Sequence, residues 1–289
     1  MAGIGSTADD AGSRPAEGPA AERSVAVAVA QFAPGEDAHH NLAIIEQLST
    51  TAAGRGARLI VFPEYSSYFA DPVDSRFLAN AEPVDGPFTK RLADLADMLG
   101  VTIVAGFAEK TDVAGRFSNT LAAVAPSAGI VALYRKQHLY DAFGARESDV
   151  VLAGELAAPQ LFTVGDLTIG LQTCYDLRFP EITRTIVDAG AEVVVVPSEW
   201  VRGPLKEHHW RTLITARAIE NTVFVAAADH LGPVGVGSSV IVDPMGVVLA
   251  DAGEREAVTL AWLDRARLEQ VREINPALAL RRYSVVPKD

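Results

Sequence analysis

Strand-length apolar runs alternate with segments of helical periodicity along almost the whole sequence, and this alternation confines the chain to an α/β fold. Residues 24–32 form a β-branched apolar run closed by Pro34-Gly35, which reads as a buried strand. A helix over 39–53 follows, with Leu42, Ile44, Ile45 and Leu48 at near-helical spacing and Gly54 as its stop. Residues 59–62 read as a second buried strand, ended by Pro63-Glu64-Tyr65. The pattern then predicts a helix over 87–99 with Leu92, Leu95, Ala96 and Leu99 on one face, and a strand over 101–107. Strands over 117–124 and 130–134 are joined through Pro126-Ser127-Ala128-Gly129, a hairpin rather than a helical crossover, so the sheet is mixed. After a strand over 167–171, Pro180 suits the first turn of a helix that reaches Asp188 and stops at Gly190. Strands over 192–196 and 222–228 flank a helix over 206–220. Segments 238–242, 247–250 and 258–262 read as a late meander turning at Asp243-Pro244-Met245-Gly246, and 265–274 as a closing helix. No linker divides the chain, which predicts one domain over 24–289. Residues 1–23, built largely from small, acidic and proline residues, read as a disordered tail.

Charge and motif content exclude several classes of function. The net charge is −12 with no basic cluster, which argues against nucleic acid and anionic membrane surfaces. The longest apolar runs, 25–30 and 193–196, are too short to cross a bilayer. One cysteine allows no internal disulfide, so a cytoplasmic location is expected. No metal is expected: C-x-x-C and H-E-x-x-H are missing, and His39-His40 and His208-His209 are adjacent pairs whose side chains diverge. Phosphate-loop and dinucleotide fingerprints are also missing, and the glycine-rich segment 232–237 contains Pro233 and opens no helix.

Three reactive side chains stand at strand ends. Cys174 lies on a strand-to-helix elbow, where backbone N–H groups and a helix N-terminus would lower a thiol pKa. Glu64 ends one strand and Lys136 another. Taken singly, each has a plain structural reading: a buried small hydrophobe, a solvated or capping carboxylate, and a cationic guard on a sheet edge. His138 alone reads more readily as a hydrogen-bonded structural histidine than as a catalyst. Taken together, a thiolate can attack a carbonyl-type carbon, a carboxylate can move the proton, and an ammonium can stabilise the oxyanion. The aperiodic segment 141–155, which carries Glu147, is long enough to suggest function.

These residues sit in blocks that resemble the nitrilase superfamily of carbon–nitrogen hydrolases. Leu59-Ile60-Val61-Phe62-Pro63-Glu64 resembles its glutamate block, Tyr134-Arg135-Lys136-Gln137-His138-Leu139 its lysine block, and Cys174-Tyr175-Asp176-Leu177-Arg178-Phe179-Pro180-Glu181 its cysteine block. Segments 210–221 and 243–246 match weaker family segments. The resemblance implies a four-layer αββα sandwich, a homodimer or larger homo-oligomer, and chemistry that needs no cofactor. It implies Cys174 as nucleophile, Glu64 as general base, and Lys136 with the N–H of Tyr175 as oxyanion hole. Glu147 corresponds to a second glutamate that holds the lysine. The cysteine block is similar to the amidase branch that includes omega-amidases and deaminated-glutathione amidases, while true nitrilases carry Cys-Trp-Glu there.

The expected reaction is hydrolysis of a small, carboxylated amide through a Cys174 thioester. Hydrolysis of an N-carbamyl amino acid and a non-catalytic dimeric scaffold are the alternatives. By likeness to N-carbamyl amino-acid amidohydrolases, Arg178 and His138 would contact substrate; an ion pair from Arg178 to Glu181 or Glu199 is the competing reading. Tyr65, Tyr140, Trp200 and His209 are candidate pocket walls or packing residues.

Overall fold

The computed structural model describes residues 24–288, so the tail expected over 1–23 lies outside the described residues. The first sheet contains β1 (Val25–Gln31), β2 (Leu59–Val61), β3 (Thr102–Lys110), β4 (Phe117–Ala125) and β5 (Gly129–Arg135). The second contains β6 (Leu161–Val164), β7 (Leu167–Leu171), β8 (Val193–Ser198), β9 (Phe224–Asp229), β10 (Val240–Val242) and β11 (Val248–Asp251). A last strand, β12 (Ala257–Leu263), returns to the first sheet, giving the orders β12-β1-β2-β3-β4-β5 and β11-β10-β9-β8-β7-β6. Each sheet has a parallel centre, β1-β2-β3 in one and β7-β8-β9 in the other, with antiparallel flanks.

Side-chain alternation along the strands builds the layers. Val25, Val27 and Val29 of β1 face Ile169, Val193, Val195 and Phe224 of the other sheet across a shared apolar core. The intervening Ala28 and Ala30 pack outward against α1 (Ala38–Gly54), through Ile45 and Leu48. The short α2 (Arg76–Asn80) precedes α3 (Pro87–Leu99), which covers the same outer face with Leu92 and Leu95. On the far side, Val194 and Val196 of β8 meet Ile186 of α4 (Pro180–Asp188) and Trp210 and Ile214 of α5 (Lys206–Asn221). The expected αββα sandwich is therefore present. Local chemistry sets the helix ends: the Asp37 side chain accepts from the N–H groups of His39 and His40, proline opens α3 and α4, and Gly100 closes α3 at φ 66°. No helix among the described residues is long and apolar enough to cross a membrane.

Three features depart from the sequence reading. The late meander breaks after β11: β12 leaves the second sheet and pairs antiparallel with β1, from Val25↔Leu263 to Gln31↔Ala257. Proximity in sequence favours a hairpin, but β1 needs a partner on its outer edge, and only tertiary structure supplies that constraint. Strand β6 and helix α2 were not anticipated, because each is too short to carry a periodic signal. Strand β3 runs on to Lys110 and forms an eight-pair hairpin register with β4.

One glycine in β3 governs how the first sheet delivers its end of the site. A Cβ on Gly106 would lie 2.6 Å from Tyr65 N and 2.7 Å from Glu64 Cα. The chain leaving β2 therefore rests directly on the β3 backbone. Gly106→Ala is expected to lower stability by about 1–3 kcal/mol by overpacking and to lower turnover by displacing Glu64. A urea midpoint and kcat both equal to wild type would contradict this close approach.

Candidate active site

The carboxyl ends of β2, β5, β7 and β8 converge, and each extends into one polar side chain of the site. Glu64 follows β2, Lys136 follows β5, Cys174 lies beyond β7, and Glu199 follows β8. Glu147 joins them from the long loop, on a one-turn 3₁₀ segment Glu147–Asp149. Lys136 Nζ is 2.9 Å from Glu64 Oε1 and 2.9 Å from Glu147 Oε2. All three side chains are buried, so a cation clamped by two carboxylates lies in a low-dielectric interior.

Further donors fix both carboxylates. Asn119 Nδ2 of β4 donates to Glu64 Oε1 at 2.6 Å and to Glu147 Oε1 at 3.1 Å. The N–H of Glu199 donates to Glu64 Oε2 at 2.7 Å, a bond that joins the two sheets. Glu147 also accepts from the Tyr65 hydroxyl at 2.9 Å and from the N–H of Tyr140 at 2.6 Å.

Burial pushes the Glu64 carboxyl above its ordinary value of 4.5; Lys136 opposes and Glu147 reinforces this. Burial acts on Glu147 in the same direction, but Lys136 and the Tyr140 N–H outweigh it and hold Glu147 low. For Lys136, burial works against the charged form, yet Glu147 and Glu64 keep it well above 10.5. The pair of glutamates thus splits into a tightly ionised Glu147 and a more basic Glu64, the arrangement expected of a site that moves a proton.

Cys174 sits at the elbow in the left-handed region, at φ 46°. A non-glycine residue held there stores strain, and the surroundings that hold it are visible. Cys174 opens a 3₁₀ turn, Cys174–Arg178, with a reciprocal cap between Thr173 and Asp176. Buried Asp176 accepts from the Tyr134 hydroxyl at 2.7 Å and from the N–H of His138 at 2.9 Å. The thiol donates to the carbonyl oxygen of Glu199 at 3.3 Å.

The thiol pKa is raised rather than lowered, contrary to the expectation from the elbow. Burial and the adjacent Glu64 push Cys174 well above 9, with Lys136 only partly opposing. The elbow holds a thiol whose proton needs an acceptor, not a standing thiolate.

A cavity of about 480 Å³ opens over the cluster, lined by Glu64, Lys136, Glu147, Cys174 and Tyr175 and walled by Tyr65, Tyr140 and Trp200. Arg178 also lines it. Its guanidinium stacks over the Trp200 ring at 4.8 Å, and no ion pair to Glu181 or Glu199 forms among the described residues. His209 lies behind Arg178, with Nδ1 3.4 Å from its Nη2, and does not line the cavity.

His138 does not reach the cavity either, contrary to the expectation of substrate contact. Its Nδ1 is 2.9 Å from Asp176 Oδ1 and its ring stacks on Phe179 at 3.8 Å, so it braces the elbow. Asn119, Lys206 and Phe143 went unnoticed in the sequence. Asn119 is a polar residue inside an apolar strand run, a signal that was available. Lys206 opens α5, donates to the Tyr140 hydroxyl at 2.8 Å and lies 4.0 Å over the Phe143 ring; burial lowers its pKa. Among the described residues, no group of three or more His, Cys, Asp or Glu side chains has the placement to hold a metal ion.

The carbon–nitrogen hydrolase family model matches residues 26–273. The chain belongs to the carbon–nitrogen hydrolase family. The matched region spans both sheets and α1 to α6 except the first residue of β1 and the last residue of α6 (Arg265–Ile274), and it contains every side chain of the site. This carbon–nitrogen hydrolase is 40% identical over 259 residues to the deaminated glutathione amidase of Escherichia coli O157:H7, spanning 89% of this chain and 97% of that one. Its fold is similar to that of the C. elegans NitFhit protein, with a TM-score of 0.81 at 28% identity; the match covers 90% of this chain and 65% of that one. A variant of the amidase from Nesterenkonia sp. AN1, described with acrylamide joined by Michael addition at its active-site cysteine, matches with a TM-score of 0.71 at 25% identity, over 89% of this chain and 100% of that one.

Proposed function

We propose that this hydrolase cleaves the amide of a small carboxylated molecule by two-step acyl transfer through Cys174. The observation that carries the reading is the buried Glu64–Lys136–Glu147 cluster set against a thiol at the floor of a cavity. As Cys174 Sγ bonds to the amide carbon, Glu64 takes the thiol proton and the carbonyl π electrons move onto oxygen. Lys136 and the N–H of Tyr175 stabilise that oxyanion. When the intermediate collapses, the C–N bond breaks and Glu64 returns its proton to the departing ammonia or amine, leaving a thioester. Glu64 then deprotonates a water that attacks the thioester, and the thiol is regenerated. The balance requires only substrate and water. Glu147 takes no proton; it keeps Lys136 charged and in place.

Arg178 and Lys206 support the carboxylated substrate. Both are cations on the cavity wall without a carboxylate partner among the described residues, each held by aromatic rings. A deaminated glutathione, named for the E. coli relative, is an amide of this kind. The addition at the cysteine of the Nesterenkonia amidase supports a nucleophilic role for Cys174. The same reading includes a cytoplasmic homo-oligomer; exposed Ile219, Met245 and Val247 form an apolar patch available to a second copy.

The test is ammonia or amine release from a panel of omega-amides, deaminated glutathione, N-carbamyl amino acids and simple nitriles. Arg178→Met, which keeps much of the packing on Trp200, is expected to raise KM for carboxylated amides about tenfold or more while changing kcat less. An equal rise for an uncharged amide of the same length would show that Arg178 does not bind the carboxylate.

A further inference from the structure

Of the carboxyl groups on the cavity wall that the reaction above does not use, Glu199 is the one whose main chain touches the reactive cluster. Glu199 presents its backbone to the chemistry: its N–H holds Glu64 Oε2 at 2.7 Å and its carbonyl oxygen accepts the Cys174 thiol at 3.3 Å. Glu199 is among the residues that line the cavity and is 8% exposed. Neither carboxyl oxygen has a hydrogen-bond partner among the described residues, and Oε1 is sealed from solvent. The nearby cation is already taken, since Lys136 is held by Glu64 and Glu147.

The surroundings decide the protonation state of this group. Burial is the largest influence, followed by Glu64 and Asp229, and all three push the Glu199 carboxyl well above its ordinary range; Lys136 opposes and Asp71 adds to the rise. Asp229 is itself buried, with Oδ1 occupied by the N–H of Trp200 at 2.7 Å and Oδ2 unpartnered, and it makes no hydrogen bond to Glu199. A second negative charge beside Glu64 would be uncompensated, whereas a neutral carboxylic acid carries one O–H donor. That donor belongs to a residue of the cavity wall whose main chain touches both the base and the nucleophile.

We propose that Glu199 is a specificity-determining residue that, as a neutral carboxylic acid, donates a hydrogen bond to an uncharged substrate oxygen borne close to the scissile carbonyl. A keto, hydroxyl or second amide oxygen fits; a substrate lacking one leaves the buried donor unpartnered and is rejected. The assignment rests on the reading of Cys174 as nucleophile.

The experiment compares kcat/KM for pairs of carboxylated amides that differ only in a keto or hydroxyl oxygen near the scissile carbonyl, using wild type, Glu199→Gln, Glu199→Ala and Cys174→Ala. Wild type is expected to favour the oxygen-bearing member by about 10- to 100-fold. Glu199→Gln, which keeps a neutral donor of the same size, retains most of that ratio and serves as the fold control, whereas Glu199→Ala brings the ratio close to one. Equal kcat/KM for both members in wild type, or an unchanged ratio in Glu199→Ala, overturns the assignment. Loss of the ratio in Glu199→Gln as well means that charge rather than the donor is required, and also overturns it. Turnover that survives in Cys174→Ala, or none at all in wild type, instead brings down the underlying reading of the nucleophile.

Discussion

Cys174→Ala is expected to lower kcat for amide hydrolysis by at least about 10⁴-fold while the protein stays folded, because no other group over the buried cluster can form the acyl bond. The structural cost is small: the thiol makes one hydrogen bond, to the Glu199 carbonyl oxygen, and sulfur is a weak donor. Steady-state rates together with a thermal melt separate the two effects, and a variant that keeps its rate would remove Cys174 from the chemistry.

The same thiol gives a pH signature. Burial and Glu64 raise its pKa well above 9, so alkylation by iodoacetamide near neutral pH depends on Glu64 accepting the proton. Burial raises Glu64 above 4.5, and a protonated Glu64 cannot accept. Alkylation is therefore expected to fall as pH drops through a value above 4.5. Glu64→Gln should remove that acid limb and leave a rate that climbs only above pH 9. A wild-type profile that followed the thiol's own ionisation would contradict this coupling.

Lys136→Met should be the most destabilising substitution in the site, as well as an inactivating one. Removing the cation leaves Glu64 and Glu147 facing each other in the interior, and a broken buried ion pair costs about 3–5 kcal/mol. Loss of the proposed oxyanion partner is expected to add a further loss of about 10²–10³ in kcat.

The pH dependence that Glu147 contributes to stability should also change sign. In wild type, Glu147 lies below 4.5 despite the opposing effect of burial, so it stabilises above that pH, and the contribution fades as pH falls through the folded value. Without Lys136 both carboxyls are raised by burial and by each other, and a raised carboxyl destabilises at pH values above its unfolded pKa. The variant should therefore lose more stability at pH 8 than at pH 5. Urea midpoints at the two pH values provide the check; equal losses would show that the clamp is electrostatically neutral.

Those parts of the molecule that depend on local pattern could be read from residues alone. The valines of β1, the Pro180 start of α4 and the Gly100 stop of α3 act through neighbours a few positions away, and each stands where the pattern predicts. Glu64, Lys136, Glu147 and Cys174 meet in one cluster; the block motifs that carry Glu64, Lys136 and Cys174 are visible in the sequence, whereas Glu147 lies in an aperiodic loop outside them.

What escaped detection depends on contacts far along the chain. The pairing of β12 with β1 spans more than two hundred residues. The thiol was expected to be acidic because Lys136 and a helix end would favour its ionised form, but burial and Glu64 outweigh them, and burial has no local signature. His138 matches a family position yet turns toward Asp176 and Phe179, a direction set by the elbow and not by its own neighbours. Glu199 reads as an ordinary strand-end acid until β8 is placed between Cys174 and Glu64.

The return of β12 to β1 also bears on synthesis. A ribosome releases the elbow of Cys174 and the strand that precedes Glu64 long before residues 257–263, so the outer edge of β1 stays unpaired until those residues emerge. The first sheet, on which Glu64 and Lys136 stand, can close only when nearly all of the sandwich has emerged. The pairing with the greatest sequence separation completes that sheet and makes its assembly a late, slow event. Catalytic competence therefore waits for β12 to emerge, and until then a nascent chain carries its thiol without the completed scaffold that would set it to work.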